Sequence, residues 1–203
     1  MVKCCLRRLF MKSLKIDHRI KMTKMMIRNA FTELIYLKPI QEISVKELCE
    51  KGGINRSTFY KHYSDIYALS NEIEEAMFAD FEAAVAKVLD SRASYETGDI
   101  ISCIFHYLKE NADMCELALG EHANKALTNR IVKYGRVRTM ELVKRRNINV
   151  NPAHVEYLYS FVSSGFVGII LKWYKDKMVF PIEEITKITE HLITNGVEHL
   201  AVR

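Results

Sequence analysis

Between Asn55 and Tyr63 the chain gathers side chains that donate hydrogen bonds: Arg56, Ser57, Thr58, Tyr60, Lys61 and His62. A guanidinium, an ammonium and several hydroxyls in one short stretch can bond base edges and phosphate oxygens alike. The plainer reading of each residue is a solvated helix face. Against it, a helix of about seven residues is too short to persist for its own sake.

Local chemistry predicts what holds these side chains. Ser44-Val45-Lys46-Glu47 has the form of a capping box, with the serine hydroxyl accepting from the Glu47 amide and the glutamate reaching back to the serine amide. A short helix therefore starts at Ser44 and stops at Gly52-Gly53, where glycine takes the left-handed conformation at no steric cost. Asn55 then caps a second helix. The spacing predicts helix, tight turn, helix over Ser44 to Tyr63. Leu48, Ile54 and Phe59 form a small core, and Cys49 sits where only a small side chain fits between the crossing helices, a structural role rather than a reactive thiol.

With these residues in place, the chain resembles the TetR/AcrR family of transcription regulators over residues 19 to 69. The likeness rests on Arg19, Thr23, Ile27, Ala30 and Phe31, then on ISVKELCEKGGINRSTFYKHYSDIYAL. It implies that Arg56, Ser57, Thr58, Lys61 and His62 face a DNA major groove, that Lys46, Tyr60 and Tyr63 grip phosphates, and that Ser44 lies near the DNA backbone. One position departs from the family pattern: Ile66 stands where members often carry a phosphate-binding lysine. The likeness also implies a helical, ligand-sensing and dimerising body after about Asp65. The run FVSSGFVGIILKWYKD, followed by Pro181, is similar to the C-terminal part of regulators related to the dihydroxyacetone-kinase activator.

Charge agrees with a division into head and body. Residues 1 to 65 hold 14 Lys and Arg against 6 Asp and Glu, and the remainder holds 16 against 19. A basic head on a slightly acidic body suits a polyanion at the head only. The five cysteines (Cys4, Cys5, Cys49, Cys103, Cys115) include no CxxC pair, so neither a disulfide framework nor a structural zinc site is indicated, and a reducing cytoplasm is expected. The start, MVKCCLRRLFMKSLK, has its apolar residues interrupted by charge and reads as a basic flexible tail rather than a secretory signal. The longest uncharged run, Tyr157 to Leu171, falls short of the ~20 residues of a membrane span. With no nucleophile elbow, phosphate loop or HExxH motif, no enzyme and no cofactor are expected.

Apolar residues recur at helical spacing through most of the chain, and only Pro39, Pro152 and Pro181 interrupt them, so the expected fold is all-α with about nine helices. The expected organisation is a tail (1–16), a three-helix head with the helix-turn-helix (17–66), and a helical regulatory and dimerisation body (67–203). Helices are predicted near 17–37, 65–89, 99–110, 113–119, 121–146, 152–177 and 182–200, besides the two short ones. In the body, Tyr157, Phe161, Gly165, Gly168, Ile169 and Lys172 share neighbouring turns of one helix. Glycines cost ~1 kcal/mol each there, which close approach at a subunit interface, or a pocket wall, could offset. By the resemblance, the last two helices (about 153–177 and 182–200) pair with those of a second copy. A ligand cavity for a small hydrophobic effector would lie among Phe78, Phe81, Phe105, Leu108, Met114, Tyr134, Met140 and Phe166, though for any single one of them plain core packing is the better explanation. Cys103 and His106, with Cys115 and His122, have weak metal-ligand spacing, and no metal is expected. The function expected is a homodimeric regulator on a palindromic operator, a repressor released by an effector. An activator or ligand-independent regulator working through a protein partner is the alternative.

Overall fold

Leucine, methionine, lysine and arginine favour helix, and neither glycine nor proline occurs before Pro39, so nothing in the first segment breaks a helix. In the computed structural model α1 accordingly runs Val2–Ile35, and the expected flexible tail is its beginning. The structure describes residues 2–91, 96–120, 125–145 and 151–198; side chains are described from Arg19 onward, apart from positions 91, 113, 114, 142, 145, 152 and 195–198. After α1 the Leu37 and Lys38 amides close on the Leu34 carbonyl, and Pro39 opens a 3-10 turn, Ile40–Glu42.

Helix α2 (Val45–Gly52) packs on α1, and α3 (Arg56–Phe59) packs on α2. Ile27, Ala30, Phe31 and Leu34 give α1 one apolar stripe, and all four are buried. Helix α4 (Ile66–Ser91) begins as expected after Asp65, whose Oδ1 accepts from the Ala68 amide at 2.8 Å. The chain divides into compact units 1–75 and 76–203. This division falls within α4. The first turns of α4 belong to the head because Leu69 and Ile73 are buried and Glu72 bonds both Tyr63 and Lys24.

The body comprises the rest of α4 with α5 (Thr97–Glu110), α6 (Ala112–Leu119), α7 (Lys125–Arg145), α8 (Pro152–Lys175) and α9 (Ile182–Glu198). Helix α5 lies on α9, α6 on α7, and α8 meets both α7 and α9. The described residues are all-α, in the expected order. Helix α5 begins two residues earlier than its period suggested: the Glu96 amide donates to Asp99 Oδ2 at 3.0 Å, and the Gly98 amide donates to Glu190 Oε1 of α9 at 2.8 Å. Asn151 Oδ1 caps α8 through the Ala153 amide at 2.9 Å, with Pro152 in the first turn. Phe105 and Trp173 are almost wholly buried and meet edge-on, with ring centroids 5.2 Å apart.

Helix α8 ends in a Schellman-type turn, the Met178 amide bonding the Trp173 carbonyl and the Lys177 amide the Tyr174 carbonyl, both at 2.9 Å. This places Lys177 at φ 56° and Met178 at φ 53°. A Cβ there costs roughly 1 kcal/mol. Lys177→Gly is therefore expected to raise stability by about that amount, or roughly 2–4 °C in the thermal midpoint. An unchanged or lower midpoint contradicts this account of the turn.

Candidate nucleic-acid interface and body cavity

The caps of the short helices form largely as their sequence dictates. Ser44 Oγ accepts from the Glu47 amide at 3.2 Å. The reciprocal half of the expected capping box is replaced: Glu47 Oε2 takes Lys38 Nζ at 2.6 Å, a charge-assisted bond stronger than one to a neutral amide. At the turn, Gly53 adopts φ 62°, the left-handed conformation. Gly52 lies instead at a close approach, where a Cβ would stand 3.0 Å from Ile54 Cδ1 and 3.2 Å from Ala30 Cβ. Asn55 Oδ1 accepts from the Ser57 amide and hydroxyl, each at 2.9 Å. Helix α3 is shorter than its pattern suggested. Beyond Phe59 the chain tightens, with the Lys61 amide bonding Thr58 and the His62 amide bonding Phe59. Leu48, Cys49 and Phe59 are buried and Ile54 half-buried, and burial raises the Cys49 thiol pKa, as befits a packing residue.

This frame leaves Arg56, Ser57, Tyr60 and Lys61 exposed, and Thr58 and His62 half-buried. Among the described residues neither Arg56 nor Lys61 is ion-paired, whereas Lys51 is held by Glu33 at 2.7 Å and Lys38 by Glu47. Exposed Lys46 keeps only a long 4.0 Å contact with Glu50, and Ser44 is exposed with its hydroxyl used in the cap. Tyr63 is placed differently from the expectation of a phosphate grip. It is 5% exposed, and its hydroxyl donates to Glu72 Oε1 at 2.8 Å. Lys24 Nζ lies 5.5 Å from the Tyr63 ring and 2.8 Å from Glu72. Burial, then the Glu72 contact, pushes the Tyr63 phenol well above its ordinary range, and Lys24 foremost holds the Glu72 carboxyl below its own. Tyr63 is thus a strut between α1 and α4. Ile66 is likewise buried, an apolar anchor where a lysine would reach outward.

The body encloses a cavity of about 360 Å³. Of the residues expected around it, Phe81, Leu108, Tyr134 and Phe166 line it. Phe105 is fully buried in the core, Phe78 packs with Ala118 and Leu127, half-buried Met140 is not part of the wall, and Met114 lies outside the described side chains. Sequence reasoning missed Val85, Ile104, Ile131, Arg138 and Tyr159, which also line it. Helical spacing marks an inward face, and wall and core residues share that signal. The weak metal spacing does not converge, since the Cys103 thiol turns to the Ala84 carbonyl (3.6 Å) and His106 Nδ1 to the Ser102 carbonyl (2.9 Å). His122 lies outside the described residues.

One face of α8 is apolar and open. Tyr157 is 80% exposed and Phe161 75%, and a Cβ at Gly165 or Gly168 would meet nothing in its own chain. Ile188 and Leu192 of α9 are exposed as well. As a helix, Ala153–Lys175 is long and apolar enough to cross a membrane, which the shorter uncharged run Tyr157 to Leu171 did not reveal.

Residues 96–195 match the family described as "Transcriptional regulator C-terminal region", the TetR type. Several solved structures share the fold. A TetR transcriptional regulator from Streptococcus agalactiae 2603V superposes with TM-score 0.63 at 19% identity, over 89% of this chain and 98% of that one. The transcriptional regulator FadR from Bacillus subtilis, in complex with stearoyl-CoA, gives 0.64 at 13% identity over 85% and 98%. The dihydroxyacetone kinase operon activator DhaS gives 0.54 at 14% identity over 89% and 98%. A comparison with curated protein sequences finds no match. Residues 96–195 of this chain are thus the C-terminal region of a TetR-type transcriptional regulator, and the chain has the all-α fold of the TetR regulators.

Proposed function

We propose that the protein works in the cytoplasm as a homodimeric repressor, reading a palindromic operator through α3 and released when a small apolar molecule enters the body cavity. The observation that carries the reading is the pair of unpaired cations, Arg56 and Lys61, standing with Ser57 and Tyr60 on a capped and anchored turn. Arg56, Ser57, Thr58, Lys61 and His62 meet base edges, and Lys46, Tyr60 and the Ser44 region meet phosphates. Tyr63 supports them from beneath. A second copy covers the apolar face of α8, which supports dimerisation through α8 and α9: Tyr157 and Phe161 lose water there, and Gly165 and Gly168 permit close helix approach. The opposite face of α8 is already packed by Val155, Ile170 and Trp173, which favours a protein partner over lipid around this helix. Two-fold symmetry sets two α3 elements on successive major grooves ~34 Å apart, and an effector acts by favouring the dimer that misses this spacing.

Arg56→Ala and Tyr60→Ala are each expected to abolish retardation of operator DNA while the dimer, followed by sedimentation, stays intact. Normal retardation by both variants refutes the assignment. The likeness to DhaS favours a second reading, activation through a protein partner. Deletion of the gene separates the two, since target expression falls for an activator and rises for a repressor.

A further inference from the structure

Most of the cavity wall is aliphatic or aromatic, as at Val85, Ile104, Ile131 and Phe166. The hydroxyls in that wall are largely satisfied by their own backbone. Thr128 donates to the Ala118 carbonyl, Thr139 to Gly135 at 2.9 Å, Tyr159 to Val132 at 2.7 Å and Ser163 to Ser160 at 3.2 Å. Two neighbouring wall groups differ. Tyr134 Oη and Arg138 Nε are buried atoms with no hydrogen-bond partner of good geometry among the described residues. They belong to one α7 face, with the Arg138 guanidinium 5.1 Å from the centre of the Tyr134 ring. Glu141 Oε2 occupies Arg138 Nη1 at 2.9 Å and leaves Nε free.

Both unsatisfied groups can donate, and one belongs to a cation. One acceptor satisfies both donors, and a planar carboxylate matches a guanidinium edge. The Arg138 side chain keeps 37% of its surface exposed, so this end of the cavity reaches water while the rest is apolar. A volume near 360 Å³, at ~30 Å³ for each water-sized group, holds about a dozen non-hydrogen atoms. We propose that the cavity takes a medium-chain carboxylate, its alkyl tail against Ile104, Ile131 and Phe166 and its carboxylate shared by Tyr134 Oη and Arg138 Nε. The effector role of such a ligand rests on the function proposed above, while its binding does not.

Calorimetry on the full chain tests this with decanoate, decanol and decanoyl-coenzyme A below their micellar concentrations. Decanoate is expected to saturate at one per chain. Tyr134→Phe and Arg138→Gln should each weaken it roughly 10- to 100-fold, the worth of a hydrogen bond to a charged group, while leaving decanol affinity unchanged as the control for an intact cavity. The proposal is overturned if decanol binds as tightly as decanoate, if neither substitution affects decanoate, if only the coenzyme A ester binds, or if none of the three binds. Arg138-dependent decanoate binding that leaves operator retardation unchanged upholds the carboxylate site and removes its regulatory role. Release from the operator by another small molecule, with no decanoate binding, does the reverse.

Discussion

Trp173→Ala is expected to destabilise the body by about 3–5 kcal/mol, the range for truncating a fully buried large aromatic. Three losses combine. The indole is 1% exposed, so its removal leaves a cavity that the helices around it can fill only in part. Its edge contact with Phe105 disappears. Its Nε1 donates to the Phe180 carbonyl at 2.9 Å, tying α8 to the segment that enters α9, and that carbonyl loses its partner. Trp173→Phe separates these contributions, because it keeps a ring against Phe105 and loses only the indole donor and some volume. Its cost should be less than half that of alanine. Urea unfolding followed by far-ultraviolet circular dichroism checks both variants, which lack the protein's single tryptophan. Equal stability of Trp173→Ala and the parent protein would show that the α8–α9 junction does not depend on this side chain.

Phe59→Ala carries a comparable intrinsic cost, about 3–5 kcal/mol, but its effect falls on a different property. Phe59 is fully buried and meets the rings of Tyr60 and Tyr63 at 5.6 Å each. Helix α3 has four residues and cannot hold its shape by its own hydrogen bonds, so this side chain fixes the donors at 56–61 in space. A head of some 75 residues has only ~5–15 kcal/mol of stability to lose. The expected result is loss of operator binding, with amide exchange accelerated through α2 and α3 while α5 to α9 keep their protection. Phe59→Leu, which retains most of the buried area, should retain measurable DNA affinity. Parent-like affinity in Phe59→Ala would contradict the anchoring role.

What the sequence revealed was mainly what is settled within a few residues. Ser44, Gly53, Asn55, Asp65 and Asn151 are read correctly because a cap or a left-handed turn depends on one side chain and its nearest amides. The order of helices follows from their apolar period. Tyr63 is not legible from its nearest neighbours because its place depends on Lys24 of α1 and Glu72 of α4, which converge on it in space. The same packing ties the first turns of α4 to the head. Arg138 escaped notice because a charged residue at an intermediate position of a helix reads as solvent-facing, and only the fold shows that one of its nitrogens is buried.

The first ten residues of α4 carry a consequence for engineering. An exchangeable DNA-reading module cut at the end of the helix-turn-helix would discard Leu69, Ile73 and the Glu72 carboxylate, and with them the floor on which Tyr63 rests. The transplantable unit is longer than the motif by about three helical turns, and a chimera joined after Glu75 keeps its graft intact.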